Sequence, residues 1–339
     1  MAEYKGIHGT RIQNYTSDPS NPIIGQVWYN ETSQTMKVES VTTVGSWATG
    51  GNVNTARTQM AMGGAGVNNT SALMSGGSPA GGFTGATESY NGSTWTEVND
   101  LNTSRRGMGG AGANNTSALV FGGQTPPAPA FTVTDATESY NGTSWTTVNN
   151  LNNSKIQNSG TGTATAALSF SGRDNPGPVR NLLETEIWNG TSWTEVNDPT
   201  TGRENSFSVG TTLSALAFGG RNGGPDTKLS NTESWNGTSW TEVNDLNTAR
   251  EQLGGAGTDN TSALAFGGEG PPFQAVTELW NGTSWTETTD LPTATQNLMG
   301  AGTATSALAA SGAQAPGDVV TSYEWTGPGV TQTKTITSS

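Results

Sequence analysis

The chain has no cysteine, and its single histidine is His8. Without cysteine there is neither a disulfide framework nor a thiol nucleophile. Structural zinc sites are built mainly from cysteine and histidine, so one histidine cannot supply a ligand set of that kind. We therefore predict no metal site and no cofactor.

Apolar and charged residues are both scarce. Hydrophobic residues make up 31% of the 339 residues, and charged residues 12%. Glycine, serine, threonine and asparagine fill the difference, a composition typical of short strands joined by tight turns. The low charge argues against disorder, which usually combines few apolar residues with high charge.

Positive charge and long apolar runs are lacking as well. The net charge is −13, and the 14 basic residues form no cluster larger than Arg105-Arg106. Because nucleic-acid binding needs patches of lysine and arginine, we expect no nucleic-acid partner. No apolar run reaches the roughly 18 residues that could span a membrane. The N-terminal residues lack the pattern of a secretory signal. We expect no membrane insertion and no signal peptide, with synthesis in a host cytoplasm.

What the chain does contain is a repeat marked by tryptophan. Successive members lie 45 to 50 residues apart, at Trp47, Trp95, Trp145, Trp193, Trp240 and Trp285. Ten residues after each tryptophan come Arg57, Arg105, Lys155, Arg203, Arg250 and, as the exception, Thr295. A period of this length indicates an array or a propeller rather than a two-layer domain.

One repeat shows four strand patterns. A glycine-rich segment at 248–257 precedes an alternating strand at 262–266 and an aromatic strand at 276–280. Asn281-Gly282 is the dipeptide that a two-residue type I′ hairpin favours, and it leads into a strand at 283–287. Four antiparallel strands with one long loop make a propeller blade. We therefore predict an all-β fold, a six-bladed β-propeller.

The two ends of the array are incomplete in a complementary way. Trp47 has the signature of a fourth strand without three strands before it, whereas the last repeat has three strands that end near Tyr323. We predict that the Trp47 strand completes the sixth blade, which would remove exposed sheet edges. The alternative is a sixth blade closed by the C-terminal segment 330–336.

The first 44 residues lie outside the array. Residues 25–30 and 34–38 indicate a hairpin, and the linker-like segment 18–22 precedes it. The predicted division is an N-terminal attachment segment, 1–44, followed by the propeller, 45–339.

The repeated basic residue has a repeated candidate partner on the third strand. These acids are Glu88, Glu138, Glu186, Glu233 and Glu278. Because a buried charge needs pairing, we expect a contact between the two residues in each repeat. We expect the repeated tryptophans to pack blade against blade rather than to stack on sugars. Both sets are therefore predicted to be structural.

The stretch between the second and third strands varies most. Alternating strand direction places these loops on one propeller face, and their prolines reduce the entropy lost on binding. The candidate binding residues there are Phe83, Pro127, Phe131, Arg173, Arg180, Arg221, Asp226 and Phe273. Variation on one face of a uniform scaffold is typical of a recognition surface. Neutral drift in exposed loops is the alternative interpretation.

The order of these motifs resembles the kelch-type repeat of β-propellers. It covers residues 47–325, from the basic residue through Gly-Gly and Phe-Gly-Gly to the fourth-strand tryptophan. The segment 25–38, with Trp-Tyr-Asn followed by Met-Lys-Val, resembles a short module at the start of many bacteriophage tail-fibre and appendage proteins. The repeated Asn-Gly-Thr-Ser-Trp is similar to repeats in proteins of marine phages. These resemblances imply a virion structural or adhesion protein.

Propeller enzymes fit these residues poorly. A copper oxidase resembling galactose oxidase needs histidine, tyrosine and cysteine at its metal, and a sialidase needs an arginine cluster. We expect no catalytic activity. The predicted function is a phage virion appendage protein, present in multiple copies per particle. It docks on other virion proteins through residues 1–44 and contacts a host-surface glycan or protein, or neighbouring subunits, through its variable face. The alternative is a free glycan-binding propeller lectin.

Overall fold

A computed structural model describes residues 12–41, 44–61, 65–126, 131–174, 180–222, 227–270, 272–329 and 331–336. Within these ranges the one helical element is a single 3₁₀ turn, Pro79–Gly81. The chain divides into two compact units. The smaller comprises Met1–Gly45 with Gly327–Ser339, and the larger is Ser46–Thr326.

The strands are short and number 36 in the described residues. In chain order they are β1 Gln13–Tyr15, β2 Val27–Asn30, β3 Thr35–Val41, β4 Ser46–Thr49, β5 Ala65–Asn68, β6 Ser71–Ser75, β7 Thr87–Tyr90, β8 Trp95–Val98, β9 Gly109–Asn114, β10 Ser117–Phe121, β11 Gln124–Thr125, β12 Thr132–Val133, β13 Thr137–Tyr140, β14 Trp145–Val148, β15 Ser159–Thr163, β16 Ala166–Phe170, β17 Arg173–Asp174, β18 Arg180–Asn181, β19 Thr185–Trp188, β20 Trp193–Val196, β21 Phe207–Gly210, β22 Ala215–Phe218, β23 Arg221–Asn222, β24 Thr227–Lys228, β25 Thr232–Trp235, β26 Trp240–Val243, β27 Gly254–Asp259, β28 Ser262–Phe266, β29 Thr277–Trp280, β30 Trp285–Glu287, β31 Met299–Thr303, β32 Ser306–Ala310, β33 Ala313–Gln314, β34 Gly317–Asp318, β35 Ser322–Thr326 and β36 Thr331–Ile336.

The smaller unit is one sheet with the order β1-β2-β3-β36. β1 runs parallel to β2, and the other two pairings are antiparallel. The Asp18 carboxylate accepts hydrogen bonds from Asn30 Nδ2 at 2.7 Å and from Trp28 Nε1 at 2.9 Å. These two bonds, the one from Asn30 first, lower the pKa of Asp18. Because Trp28 is fully buried, it anchors this small sheet.

The C-terminal strand belongs to the smaller unit. Met36 of β3 stands opposite Ile336 of β36. The predicted propeller domain 45–339 is therefore too long at its C-terminal end. The alternative in which 330–336 closes the sixth blade is also wrong. The sequence of β36, Thr-Gln-Thr-Lys-Thr-Ile, lacks the tryptophan that fourth strands bury between sheets.

The described residues of the larger unit form six four-stranded antiparallel sheets. In the order first to fourth strand they are β5-β6-β7-β8, β9-β10-β13-β14, β15-β16-β19-β20, β21-β22-β25-β26, β27-β28-β29-β30 and β31-β32-β35-β4, here sheets 1 to 6. Four of the loops between second and third strands carry a two-stranded arm: β11-β12, β17-β18, β23-β24 and β33-β34. The prediction of an all-β, propeller-like fold with four-stranded units is confirmed.

The turn between third and fourth strands differs from the predicted one. Tyr90 pairs with Trp95, so the loop 91–94 has four residues rather than two. Asn91 Oδ1 accepts hydrogen bonds from the backbone N–H groups two and three residues later, at 3.0 and 2.9 Å. Only Gly92 takes a left-handed φ, of 92°. The predicted type I′ hairpin is wrong because the asparagine side chain, rather than a second left-handed residue, forms the turn.

The fourth-strand tryptophans pack between sheets. The Trp193 ring lies 4.8 Å from that of Phe121 in sheet 2 and 5.4 Å from that of Trp188 in its own sheet. Its indole N–H donates to Thr137 Oγ1, again in sheet 2, at 3.1 Å. The same bond recurs at Trp145–Thr87, Trp240–Thr185 and Trp285–Thr232. These contacts are the structural role expected from the sequence.

Trp47 takes the equivalent place in sheet 6. β4 pairs with β35 so that Trp47 stands opposite Trp325, with ring centroids 5.2 Å apart. The Trp47 ring also lies 5.1 Å from that of Phe266 in sheet 5, and its indole N–H donates to Thr277 Oγ1 at 3.2 Å. The Trp47 strand therefore pairs with the last repeat beside Tyr323, as the sequence predicts.

Candidate functional site

Sheets 1 to 5 each contain a buried ion pair between the repeated basic residue and the third-strand glutamate. The N–O distances are 2.6 Å for Arg57–Glu88, 2.8 Å for Arg105–Glu138, 2.9 Å for Lys155–Glu186 and 3.2 Å for Arg203–Glu233, and Arg250 pairs with Glu278. Burial lowers the pKa of the four arginines, against the opposing effect of their glutamates. The structure thus brings together the residues that the sequence expects to pair.

The same glutamates hold the segment that enters each sheet. Glu138 Oε2 accepts hydrogen bonds from Asn102 N and Nδ2, both at 2.8 Å. Asn54, Asn152 and Asn247 make the equivalent bonds to Glu88, Glu186 and Glu278. In sheet 4 the Thr200 hydroxyl donates to Glu233 at 2.6 Å instead. Each buried carboxylate is therefore both charge-paired and hydrogen-bonded, which is what burial of a charge requires.

Sheet 6 lacks this arrangement at all three positions. The residues equivalent to Asn102, Arg105 and Glu138 are Pro292, Thr295 and Tyr323. The Tyr323 hydroxyl donates to Thr293 Oγ1 at 3.4 Å. Acid and base are absent together, as expected when a single unpaired buried charge would cost several kcal/mol, roughly 3–5.

The variable loops leave their sheets at equivalent points. In every sheet the residue after the Gly-Gly or Ser-Gly pair bridges to the residue after the basic position. The bridges are Thr58–Ser78, Arg106–Gln124, Ile156–Arg173, Glu204–Arg221, Glu251–Glu269 and Gln296–Ala313. The six loops therefore emerge on one side of the sheets, and we call the surface that they form the loop face.

Two predicted binding residues meet on the loop face. The rings of Phe83 and Phe131 lie 5.3 Å apart. The Arg106 guanidinium carbon lies 4.5 Å from the Phe83 centroid and 5.3 Å from that of Phe131, a cation–π geometry. Burial lowers the pKa of Arg106. Because the Phe131 side chain stays 38% exposed, this aromatic cluster of Phe83, Arg106 and Phe131 offers an aromatic surface beside a positive charge.

Two further predicted residues meet on one acid. Glu204, which is fully buried, accepts a hydrogen bond from Arg221 Nε at 2.7 Å and forms an ion pair with Arg173, whose Nε lies 3.0 Å from its other carboxylate oxygen. Arg173 and Arg221 themselves are 25% and 27% exposed. Both arginines thus crosslink neighbouring loops while part of each reaches solvent.

The charge network continues into sheet 5. Lys228 Nζ lies 2.8 Å from Glu251 Oε1 and 3.0 Å from Glu269 Oε1. Burial by itself lowers the pKa of Lys228, but its hydrogen bonds to Glu251 and Glu269 outweigh burial and raise it. Arg221 also approaches Glu251, at 3.4 Å, which joins the two groups of charges into one network.

Of the remaining predicted residues, Phe273, Arg180, Pro127 and Asp226, only Phe273 has a described side chain. Phe273 is half-buried and bridges to Glu269 through its backbone. Arg180 pairs with Asp174 through its backbone, and its side chain lies outside the described residues. Pro127 and Asp226 also lie outside the described residues.

Sequence reasoning missed Arg106, Glu204, Lys228 and Glu251. Three of them, Arg106, Glu204 and Glu251, occupy one position of the repeat, immediately after the buried basic residue. That position reads Thr, Arg, Ile, Glu, Glu and Gln through the six repeats, so its variation was the signal that could have found it.

A cavity of about 280 Å³ lies among the first strands of sheets 2 to 6. Its lining consists of glycine, alanine, serine and threonine with Phe207 and Val209, none of them an acid or a base at ordinary pH. In the described ranges no three histidine, cysteine, aspartate or glutamate residues gather as metal ligands. No helix in the described part of the chain is long and apolar enough to cross a membrane.

No family model matches the chain, and no curated protein matches it. Among solved structures, the one described as "Structure of YjhT" superposes with a TM-score of 0.69 at 13% sequence identity. The match covers 84% of this chain and 99% of the other. At this identity the similarity is one of fold alone, and it supports the propeller-like assignment of the six sheets.

Proposed function

We propose that this chain is a non-enzymatic structural component of a bacteriophage virion appendage. It docks on other virion proteins through residues 1–44 and presents the loop face to a host surface or to neighbouring subunits. Support comes from the resemblance of Trp28-Tyr29-Asn30 and of the Asn-Gly-Thr-Ser-Trp repeats to sequences of phage proteins. A component of this kind would be present in several copies per particle.

The observation that carries this proposal is the concentration of exposed apolar side chains in the smaller unit. Nine large apolar side chains are exposed among the described residues, and six belong to this unit: Ile12, Ile23, Ile24, Val27, Val44 and Ile336. Ile23 is 73% exposed and Ile24 64%. Because exposed apolar surface is unfavourable in water, its concentration in one small unit marks an interaction site.

We further infer that the six sheets are blades of one closed ring. The second residue of each Gly-Gly or Ser-Gly pair, always a glycine, donates its N–H to the carbonyl at the basic position of another sheet, at 2.8 to 3.0 Å. These bonds are Gly77–Arg105, Gly123–Lys155, Gly172–Arg203, Gly220–Arg250, Gly268–Thr295 and Gly312–Arg57. The last leads from sheet 6 back to sheet 1, and the first strands contact one another in the same cyclic order. A six-bladed propeller completed by the Trp47 strand accounts for both patterns.

Two observations favour a non-enzymatic role. The cavity among the first strands has no ionisable side chain among its described lining residues. Most ionisable groups of the loop face form ion pairs with each other, as Glu204 and Lys228 do. Catalytic sites instead keep such groups available for the reacting molecule.

A free glycan-binding lectin is the second candidate, and the aromatic cluster favours it. The two candidates differ in what they need from residues 1–44. A lectin would bind its glycan without this segment, whereas an appendage protein that lacks the segment would no longer attach to the particle.

The test is incorporation into particles of a phage that encodes this chain. Ile23→Ser combined with Ile24→Ser should reduce the amount of the chain in purified particles by about tenfold or more, since a few apolar residues usually dominate an interface. The matched control is Leu213→Ser, which alters a leucine that is 74% exposed in the larger unit. Equal incorporation of the double variant and the control would contradict the proposal, as would absence of the wild-type chain from the particles.

A further inference from the structure

A groove lies on the loop face between loops of sheets 1 and 6. Its volume is about 710 Å³, and its lining includes Asn54, Thr55, Thr58, Pro79, Gly81 and Asp318. This volume lies within the range of small-molecule sites, about 300–1,000 Å³. The Asp318 carboxylate accepts a hydrogen bond from the Ala80 N–H at 3.2 Å, which ties the loop of sheet 6 to that of sheet 1.

The lining offers neutral hydrogen-bonding groups and a single charge. Thr55 and Thr58 supply hydroxyls, Asn54 supplies an amide, and Asp318 is the one charged residue in the described part of the lining. Asn54 is held in place because its Nδ2 donates to Glu88 Oε2 at 2.8 Å. An anionic ligand would meet the Asp318 carboxylate without a lining cation to offset the repulsion. The groove therefore suits a neutral ligand rich in hydroxyl groups.

The aromatic cluster stands beside one wall of this groove. Arg106 Nη1 donates to the Gly81 carbonyl at 3.4 Å, and Gly81 lines the groove. The same arginine lies over Phe83 and the partly exposed Phe131. A sugar ring has apolar C–H faces that pack on aromatic rings and hydroxyls that need hydrogen-bond partners. The groove and the cluster together provide both kinds of contact.

We propose that this groove is a binding site for a neutral glycan. Asp318, Thr55 and Thr58 bind sugar hydroxyls, and Phe131 packs against the face of a sugar ring. The assignment of the glycan to a host surface rests on the proposed function. The binding site itself depends only on the geometry of the loop face.

A substitution at Gly317 tests most directly whether the groove binds the ligand. It lines the groove, and a Cβ at this position would meet nothing within 4 Å. Gly317→Trp therefore fills the groove without an internal clash, and Gly317→Ala is its matched control. Asp318→Asn removes the single charge, and Leu213→Ala alters an exposed leucine that does not line the groove.

The experiment measures binding of trisaccharides to the full chain by saturation-transfer NMR and by titration. The neutral ligands are maltotriose, cellotriose and chitotriose, and a sialylated trisaccharide is the acidic comparison. At least one neutral trisaccharide should bind. Gly317→Trp and Asp318→Asn should weaken that binding by about tenfold or more, a loss of about 1.4 kcal/mol. Gly317→Ala and Leu213→Ala should bind as the wild type does.

Three results would overturn the proposal: no binding of any neutral trisaccharide, binding of the sialylated one alone, or unchanged binding by Gly317→Trp. Particle incorporation separates this proposal from the proposed function. Gly317→Trp should be incorporated normally, whereas the variants at Ile23 and Ile24 should still bind the trisaccharide.

Discussion

The indole of each fourth-strand tryptophan donates one hydrogen bond to the neighbouring sheet of the larger unit. Trp95 is the exception, because its buried Nε1 has no partner in the described part of the chain. The threonine that accepts this bond elsewhere is replaced in sheet 6 by Ser322, whose hydroxyl donates to the Gly51 carbonyl instead. A buried N–H without a partner costs about 1–3 kcal/mol. The contact between sheets 1 and 6 therefore lacks the indole hydrogen bond that links every other pair of neighbouring sheets.

This difference makes a matched pair of variants. Trp285→Phe removes a 3.1 Å hydrogen bond to Thr232, whereas Trp95→Phe removes none. Both lose the same ring volume. We expect Trp285→Phe to lower the free energy of unfolding by about 1 kcal/mol more than Trp95→Phe. Urea denaturation measures the difference, and equal losses would contradict the assigned role of the indole N–H.

Tyr90 contributes a contact of its own between sheets 1 and 6. Its hydroxyl donates to Glu324 and accepts the Gly51 N–H at 3.4 Å. Burial, followed by the hydrogen bond to Glu324, raises the pKa of Tyr90 to about 12.

Stability should therefore depend on pH in the alkaline range. Because the folded pKa lies above the unfolded value of about 10, the contribution of Tyr90 is complete below about pH 10 and is lost as the pH rises towards 12. Tyr90→Phe should remove this part of the pH dependence, measured as the difference in unfolding free energy between wild type and variant. A difference that stays constant from pH 9 to about 12 would show that Tyr90 has no such linkage.

At the scale of the repeat, the asparagine, the basic residue and the glutamate act as one group. They join the segment that enters a sheet to the third strand of that sheet, as Asn247, Arg250 and Glu278 do in sheet 5. Sheet 6 replaces all three members with uncharged residues. The group is therefore a means of holding a sheet together, and a sheet can do without it when both charges are absent.

Arg250→Met should lower the free energy of unfolding by about 3–5 kcal/mol, because it leaves the Glu278 carboxylate buried without its cation. Combining Arg250→Thr with Glu278→Tyr copies two positions of sheet 6 and should recover part of the loss. Thermal and urea denaturation of the three proteins measure both effects. An Arg250→Met protein as stable as the wild type would show that the pair is dispensable.

At the scale of the whole molecule, two sheets are built from strands that lie far apart in the sequence. β36 from the C-terminal end joins β3 in the smaller unit, and β4 completes sheet 6 of the larger unit. Stability of repeat proteins arises mainly from contacts between neighbouring repeats. A ring differs from an open array because its first and last repeats are neighbours too.

Truncation of the larger unit tests the proposed closure of the ring by β4. A chain of residues 45–326 contains β4, and a chain of 51–326 lacks it. The longer chain should unfold in one cooperative transition, whereas the shorter one should lose cooperativity and aggregate, because β35 becomes an exposed edge. Circular dichroism during urea denaturation measures the transition, and indistinguishable curves would exclude β4 as the closing strand.

Much of the fold could be predicted from the sequence because the repeat displays it several times. Four strands per unit and the place of Trp47 follow from residue patterns that recur at fixed spacing. The four-residue turn at Asn91 could not be predicted in this way, because Asn-Gly is compatible with two turn types and the side-chain hydrogen bonds decide between them. The pairing of β36 with β3 could not be predicted either, because its alternating threonines are compatible with any exposed sheet edge.

For the candidate site, the sequence alone determined which loops vary and which residue types they carry. Tertiary structure decided which of these residues meet: Phe83 with Phe131 over Arg106, and Arg173 with Arg221 on Glu204. The physical reason is range. Repeat spacing and strand alternation are local properties of the chain, whereas contacts between loops of different sheets exist only once the sheets have packed against each other.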